Sequence, residues 1–203
     1  MPPPRQIEQQ RQLVVEGRDC AAFFTALMKE VGIAGVQVQD FGGKDELIGF
    51  LKALRNQPGF LTTVVSVGVV RDADDHPVSA FQSVCGALRN AGLGVPNRPE
   101  EFEGRGPKVG VLVLPSSTTQ GMLESLCLQA VSYDPAMECV DDFFDCVKRR
   151  TGSLPQNLLK AQVQAFLASR ARAGLLLGHA ASAGYWLFRN AVFDHVKQFI
   201  RDL

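Results

Sequence analysis

The side chains best suited to chemistry are acids that follow apolar runs. In VVSVGVVRDADD, Val64 to Asp75, the valines Val65, Val67, Val69 and Val70 give way abruptly to Asp72, Asp74 and Asp75. Asp72 and Asp74 are separated by one residue, so in a continuing extended chain they project to the same side. An earlier run, Gln12 to Val15, ends in the same manner in Glu16 and Gly17. Carboxylates brought around one point raise one another's pKa unless a cation neutralises them. Oxygen-only ligands suit magnesium or manganese better than zinc. The pattern therefore predicts a divalent-cation site, set against the plainer reading of the acids as helix caps or a solvated loop.

Such a site needs elements that deliver the acids to one place. The β-branched run before Asp72 has the composition of a strand buried on both faces of a parallel sheet. In open α/β sheets ligands bind at the carboxyl ends of the strands, which is where these acids emerge. The chain supports that arrangement. Gln12 to Glu16 reads as a first strand and Arg18 to Val31 as a helix burying Phe23, Phe24, Leu27, Met28 and Val31. Val36 to Phe41 reads as a second strand, broken by Gly42 and Gly43, and Lys44 to Asn56 as a second helix. Val64 to Val70 is the third strand, and a helix from Pro77 to about Ala91 follows it. A polar loop, Gly92 to Pro107, leads to a fourth strand at Val109 to Leu114. This alternation specifies a mainly parallel four-stranded sheet with right-handed crossovers.

After Pro115 only helices are expected, over Gly121 to Val131, Met137 to Arg149, Asn157 to Ala173 and Asn190 to Asp202. The division expected is a flexible N-terminus at 1–11, an α/β core at 12–115 and a helical extension at 116–203 packed on that core. The extension's apolar positions, among them Phe143, Phe144, Val163, Phe166 and Phe199, suit such packing.

Composition narrows the function classes. With 21 basic and 21 acidic residues the chain has no net charge, so attraction to a nucleic acid or an anionic membrane must come from a local patch. No apolar segment approaches the roughly 18 uncharged residues of a membrane span, and MPPPRQIEQQRQ lacks the apolar core of a signal peptide. A cytoplasmic protein without a membrane partner is expected. The five cysteines, Cys20, Cys85, Cys127, Cys139 and Cys146, form no Cys-x-x-Cys pair and read as reduced, buried thiols rather than a zinc site.

VVEGRD at 14–19, followed by a helix, and VVRDADD at 69–75 resemble the two motifs of the Toprim fold of type IA and II topoisomerases, bacterial primases, RNase M5 and OLD-family nucleases. The chain from about 11 to 203 is most similar to a family of uncharacterised Toprim-like proteins, DUF3226, through GGK at 42–44, LESLCL at 123–128 and CVDDFFDCV at 139–147. The resemblance implies that Glu16 is the general acid or base and that Asp72 and Asp74 bind magnesium or manganese, with Glu124 as a later acid of the nuclease-type relatives. It also implies a nucleic-acid partner, and phosphodiester or phosphoanhydride chemistry in nucleic-acid metabolism or phage defence. Cys20 departs from the family, where an acid usually follows the position of Asp19, and no tyrosine stands in a topoisomerase context.

Arg18, Lys44 and Arg71 lie near the same expected edge and are the candidate phosphate-binding cations. Gly42 and Gly43 leave backbone amides free at a helix start, a further candidate anion site. His76 reads as a loop residue rather than a ligand, and Trp186 as a core aromatic rather than a base-stacking platform. Asp141, Asp142 and Asp145 read as a solvated face. The rival reading is a non-catalytic metal-binding regulatory module that acts through its helical tail or as a homodimer.

Overall fold

Alternation along the strands sends successive side chains to opposite faces of one sheet and divides the interior into two apolar clusters. The computed structural model describes residues 1–203. Its strands are β1 (Arg11–Val15), β2 (Val36–Asp40), β3 (Ser66–Asp72), β4 (Phe102–Glu103) and β5 (Lys108–Leu114). They form a five-stranded sheet in the order β2-β1-β3-β5-β4. Pairing is parallel throughout, apart from antiparallel β4. Leu13, Val15, Val70, Leu112 and Leu114 point into one cluster, and Val14, Val67, Val69, Val111 and Val113 into the other.

The second cluster is covered by α2 (Leu47–Arg55), which follows a 3-10 turn at Lys44–Glu46, by α3 (Phe60–Thr63) and by α4 (Pro77–Asn90). The first is covered by α1 (Gly17–Val31) and by the helices beyond β5. These are α5 (Leu123–Ala130), α6 (Ala136–Thr151), α7 (Leu158–Ala168), α8 (Leu177–Ser182) and α9 (Asp194–Asp202), with a 3-10 turn at Ala191–Phe193. Val163, Phe166, Phe193 and Phe199 from this part share one continuous cluster with Leu13, Val70 and Leu112 of the sheet. Trp186 is buried there, stacked on Phe166 with centroids 5.6 Å apart, and its Nε1–H donates to the Leu177 carbonyl at 2.9 Å.

Four strands were expected, and the sheet has a fifth. Two residues carry no periodicity for a sequence to display, and β4 is fixed by a tertiary contact. Gly110 lacks the Cβ that would stand 2.6 Å from the Phe102 ring, so the ring packs directly over the glycine. Gly68 is its register partner. A Cβ on Gly68 would sit 2.9 Å from Phe199 and 3.0 Å from Leu203. Phe102 and Phe199 stack with centroids 4.8 Å apart over this pair of glycines. The helices α3 and α8 also lie outside the expected set. They are four and six residues long, too short for a helical stripe to register.

Residues 4–9, within the segment expected to be flexible, lie against glutamines of β1 and β2. Gln12, Gln37 and Gln39 are buried, a poor environment for amides unless they are hydrogen-bonded. The Arg5 N–H donates to Gln39 Oε1 at 2.9 Å, the Glu8 N–H to Gln37 Oε1 at 2.8 Å, and Gln37 Nε2 to the Gln6 carbonyl at 2.7 Å. Gln39 also donates to Gln12 at 3.0 Å and Gln12 to Gln37 at 3.1 Å, so each amide is satisfied. Among the cysteines, Cys85 and Cys127 are buried, whereas Cys139 is exposed and Cys146 and Cys20 are half-buried. The expectation of five buried thiols fails on α6, because Cys139 and Cys146 lie off the side of that helix carrying Val140 and Phe144.

The Gly68–Gly110 pair yields a stability prediction. Gly68→Val pushes a branched side chain into Phe199 and Leu203, and overpacking of this kind costs about 1–3 kcal/mol. Urea unfolding should show a lower midpoint with an unchanged slope; a midpoint equal to the parent's would contradict this packing of α9.

Candidate functional site

Parallel pairing decides where the acids go. β1 and β3 are neighbours with Val14 opposite Val69, so both chains leave the same edge of the sheet. Glu16 follows β1 at the N-cap of α1, and Asp72 is the last residue of β3. Because β3 runs further than β1, Arg71 comes level with Glu16 and forms an ion pair with it. The second guanidinium nitrogen of Arg71 reaches Asp74 at 3.2 Å. The two strand ends do share a counter-ion, and it is a side chain of the protein.

The backbone does not stay extended after Asp72, as the one-residue spacing predicted. Ala73 N–H still donates to the Leu114 carbonyl at 2.7 Å, but Asp74 then exchanges two 2.8 Å hydrogen bonds with Gly121. That bridge turns Asp74 to φ 49, in the left-handed region that aspartate tolerates better than most residues. The two carboxylates consequently have different partners. Asp74 faces Arg71, while Asp72 Oδ1 accepts from the Leu123 N–H at the start of α5 at 3.0 Å.

Asp72 and Glu16 line a cavity of about 180 Å³ together with Asp19, Cys20, Glu124 and Lys160. Burial pushes the Asp72 carboxyl up to about 7, the nearby Glu124 carboxylate adds to this, and the Leu123 N–H and Arg71 oppose it. Glu124 is also raised, by burial first, while Lys160 opposes the rise. An open groove of about 570 Å³ adjoins, lined by Glu16, Lys44, Arg71, Asp72, Asp74, Asn157 and Lys160. It continues past Lys44, Asp74 and Asn157 to Gln120 and Gln156.

Glu16, Asp72 and Glu124 thus meet at one cavity, and Lys44, Arg71 and Asp74 lie in the adjoining groove. Arg18 is exposed on α1 and lines neither space. The amides of Gly42 and Gly43 are not free for an anion. Gly42 N–H donates to Asp40 at 2.8 Å and Gly43 N–H to Glu46 at 2.9 Å. Side chains from their own loop have taken those donors. His76, Asp141, Asp142 and Asp145 are exposed.

Sequence reading missed Asp19, Asn157 and Lys160. Asp19 lies three residues after Glu16 at the start of a helix, a spacing that places both on one face and could have flagged it. Its Oδ1 accepts from the Gly178 N–H at 2.8 Å. Asn157 caps α7 by accepting from the Lys160 N–H at 3.0 Å, and the same turn aims Lys160 at the acids. Nothing in the local sequence links that turn to Asp72.

The donor chemistry fits a hard divalent ion. The oxygens are carboxylate, two of the acids are driven toward their protonated forms by burial first and by neighbouring acids, Glu124 acting on Asp72 and Asp19 on Glu124, and a cation would relieve both. As the side chains stand, no group of three or more His, Cys, Asp or Glu residues is placed to hold a metal ion. Arg71 holds Glu16 and Asp74 aside from the Asp72–Glu124 pair.

The raised carboxyl of Asp72 also carries a pH dependence. The folded chain holds this proton to about pH 7, the unfolded chain only to its ordinary value of 3.8, so stability falls as pH rises through that window. Asp72→Asn keeps an oxygen for the Leu123 N–H and removes the titration. The variant should melt higher than the parent at pH 8 and close to it at pH 4; equal melting temperatures at pH 8 would contradict the burial of this acid.

A family model described as a protein of unknown function, DUF3226, matches residues 10–203. No curated protein matches the chain in sequence. Among solved structures, a hypothetical protein from Pyrococcus horikoshii is similar at TM-score 0.63 and 16% identity, covering 96% of this chain and 95% of that one. The C-terminal region of the Burkholderia pseudomallei OLD protein is similar at TM-score 0.55 and 19% identity, covering 97% and 98%. The corresponding region of the Xanthomonas campestris OLD protein gives 0.51 and 15%, covering 96% and 93%. At these identities the likeness is one of fold, and it is the Toprim-like α/β fold that the two acidic motifs resemble. The match along nearly the whole length is decisive for membership, and the chain belongs to the DUF3226 family.

Proposed function

We propose that this protein is a magnesium- or manganese-dependent phosphodiesterase of the nuclease type, working in nucleic-acid metabolism or phage defence. The observation that carries the reading is the meeting of Glu16, Asp72 and Glu124, from three separate elements, at one small cavity with a lysine beside them. The shared fold with the OLD C-terminal regions supports it. In this reading residues 12–115 form the Toprim-like core, and the extension at 116–203 contributes Glu124, Asn157 and Lys160.

Asp72 and Glu124 are the residues that would hold the ion, completed by an oxygen of Glu16 or Asp74, both now paired with Arg71, and the ion's contribution would be to neutralise charge developing on the phosphoryl oxygens. The oxygen of Glu16 that no cation engages takes a proton from the attacking water or returns one to the leaving oxygen. Lys44 and Arg71 in the groove orient the phosphate, and Arg18, which lines neither space, is left out of this role. Burial of Asp72 and Glu124 strengthens every charge interaction they make. No helix is long and apolar enough to cross a membrane. The five free cysteines suit a reducing compartment, and we place the protein in the cytoplasm.

One observation favours the second reading, a non-catalytic metal-binding module working through its helical extension or as a homodimer. Arg71 already neutralises Glu16 and Asp74, and no acid triad is assembled around a point. Incubation with manganese and with single-stranded and duplex DNA and RNA separates the two. The enzyme reading predicts manganese-dependent cleavage that falls about 10²–10⁴-fold in Glu16→Gln and in Asp72→Asn. Cleavage undiminished in both variants, or none by the parent on any of these substrates, would remove it.

A further inference from the structure

We propose that Arg71 is a resident counter-ion with which a divalent cation must compete, so that loading of the site turns Arg71 out of the acid cluster and frees its guanidinium for a phosphate. The inference rests on the metal-binding reading of the same site. Its basis is how the charges are distributed. Arg71 is the cation that bridges the two strand ends, bound to Glu16 on one nitrogen and to Asp74 on the other. Its side chain is 12% exposed, against 31% for Glu16 and 50% for Asp74, so Arg71 is the most buried member of the cluster. Asp72 and Glu124, on the inner side, form no ion pair, although Lys160 lines the same cavity.

An ion held by Asp72 and Glu124 can gain a further carboxylate oxygen from Glu16, which lines the same cavity. A Glu16 carboxylate shared with the ion gives up negative charge to it, which weakens the pair that one of its oxygens makes with Arg71. A cation entering the cavity also repels the guanidinium, which favours opening of the pair. Once displaced, Arg71 stands in the open groove that it already lines with Lys44, where it presents the planar fork suited to a phosphate. The site therefore gains its phosphate-binding cation when the metal arrives, which orders the two events as metal first and anion second.

Calorimetric titration of manganese into the full chain tests this, with Arg71→Gln and Arg71→Lys as variants and thermal melts in chelator to verify folding. A lysine has one ammonium and cannot bridge Glu16 and Asp74 as a guanidinium does. Arg71→Gln should bind manganese more tightly than the parent, on the order of ten-fold for a competition of this kind, and Arg71→Lys should fall between them. If Arg71→Gln does not fold, the Arg71→Lys affinity decides. Affinity equal to or weaker than the parent's in the folded variants overturns the competition while leaving the metal reading intact. Absence of manganese binding by parent and variants alike overturns both.

Discussion

Carboxylates that converge in a half-buried cavity cannot all remain charged without a partner, and this constraint organises the whole carboxyl edge of the sheet. Parallel pairing of β1 with β3 sets Glu16 beside Arg71 and Asp72. The protein meets the resulting repulsion in two ways. On the outer side Arg71 neutralises Glu16 and Asp74. On the inner side no cation reaches Asp72 and Glu124 so closely, and burial drives both toward protonation. A site in this state has more carboxylates than cations on its inner side, where Lys160 stands beside Asp19, Asp72 and Glu124, and this is the physical ground of the proposal that it takes a divalent ion.

The extension beyond β5 completes this edge. Asp74 is held in a left-handed turn by its bridge to Gly121, and Asp72 is oriented by the first turn of α5. Lys160 enters from α7, on a turn fixed by the Asn157 cap. Farther away, α9 anchors on the Gly68 position of β3, the strand that ends in the acids. The same strand thus carries both the seat of the C-terminal helix and the charged end of the site.

Much of this was legible in the chain itself. The apolar run of Val67, Val69 and Val70 marks β3 as buried on both faces, and the edge at which Glu16 and Asp72 emerge follows from the rule that ligands gather where parallel strands end. Arg71 was visible as a nearby cation, but its ion pairs depend on β3 running further than β1, a matter of register that no local pattern records. The left-handed turn at Asp74 depends on Gly121, distant in sequence. Lys160 belongs to a helix whose own periodicity describes only its apolar face. The glutamines Gln12, Gln37 and Gln39 read as ordinary polar strand positions, and only residues 4–9 lying over them explain why they are buried.

The central claim is that Asp72 and Glu124, joined by Glu16, take up a single ion. Anomalous diffraction from a manganese-soaked crystal tests it most directly. The account predicts one strong peak about 2–2.5 Å from oxygens of Asp72 and Glu124, with Glu16 rotated toward it and away from Arg71. A map without a peak at that cavity, the Glu16–Arg71 pair still closed at saturating manganese, would contradict it.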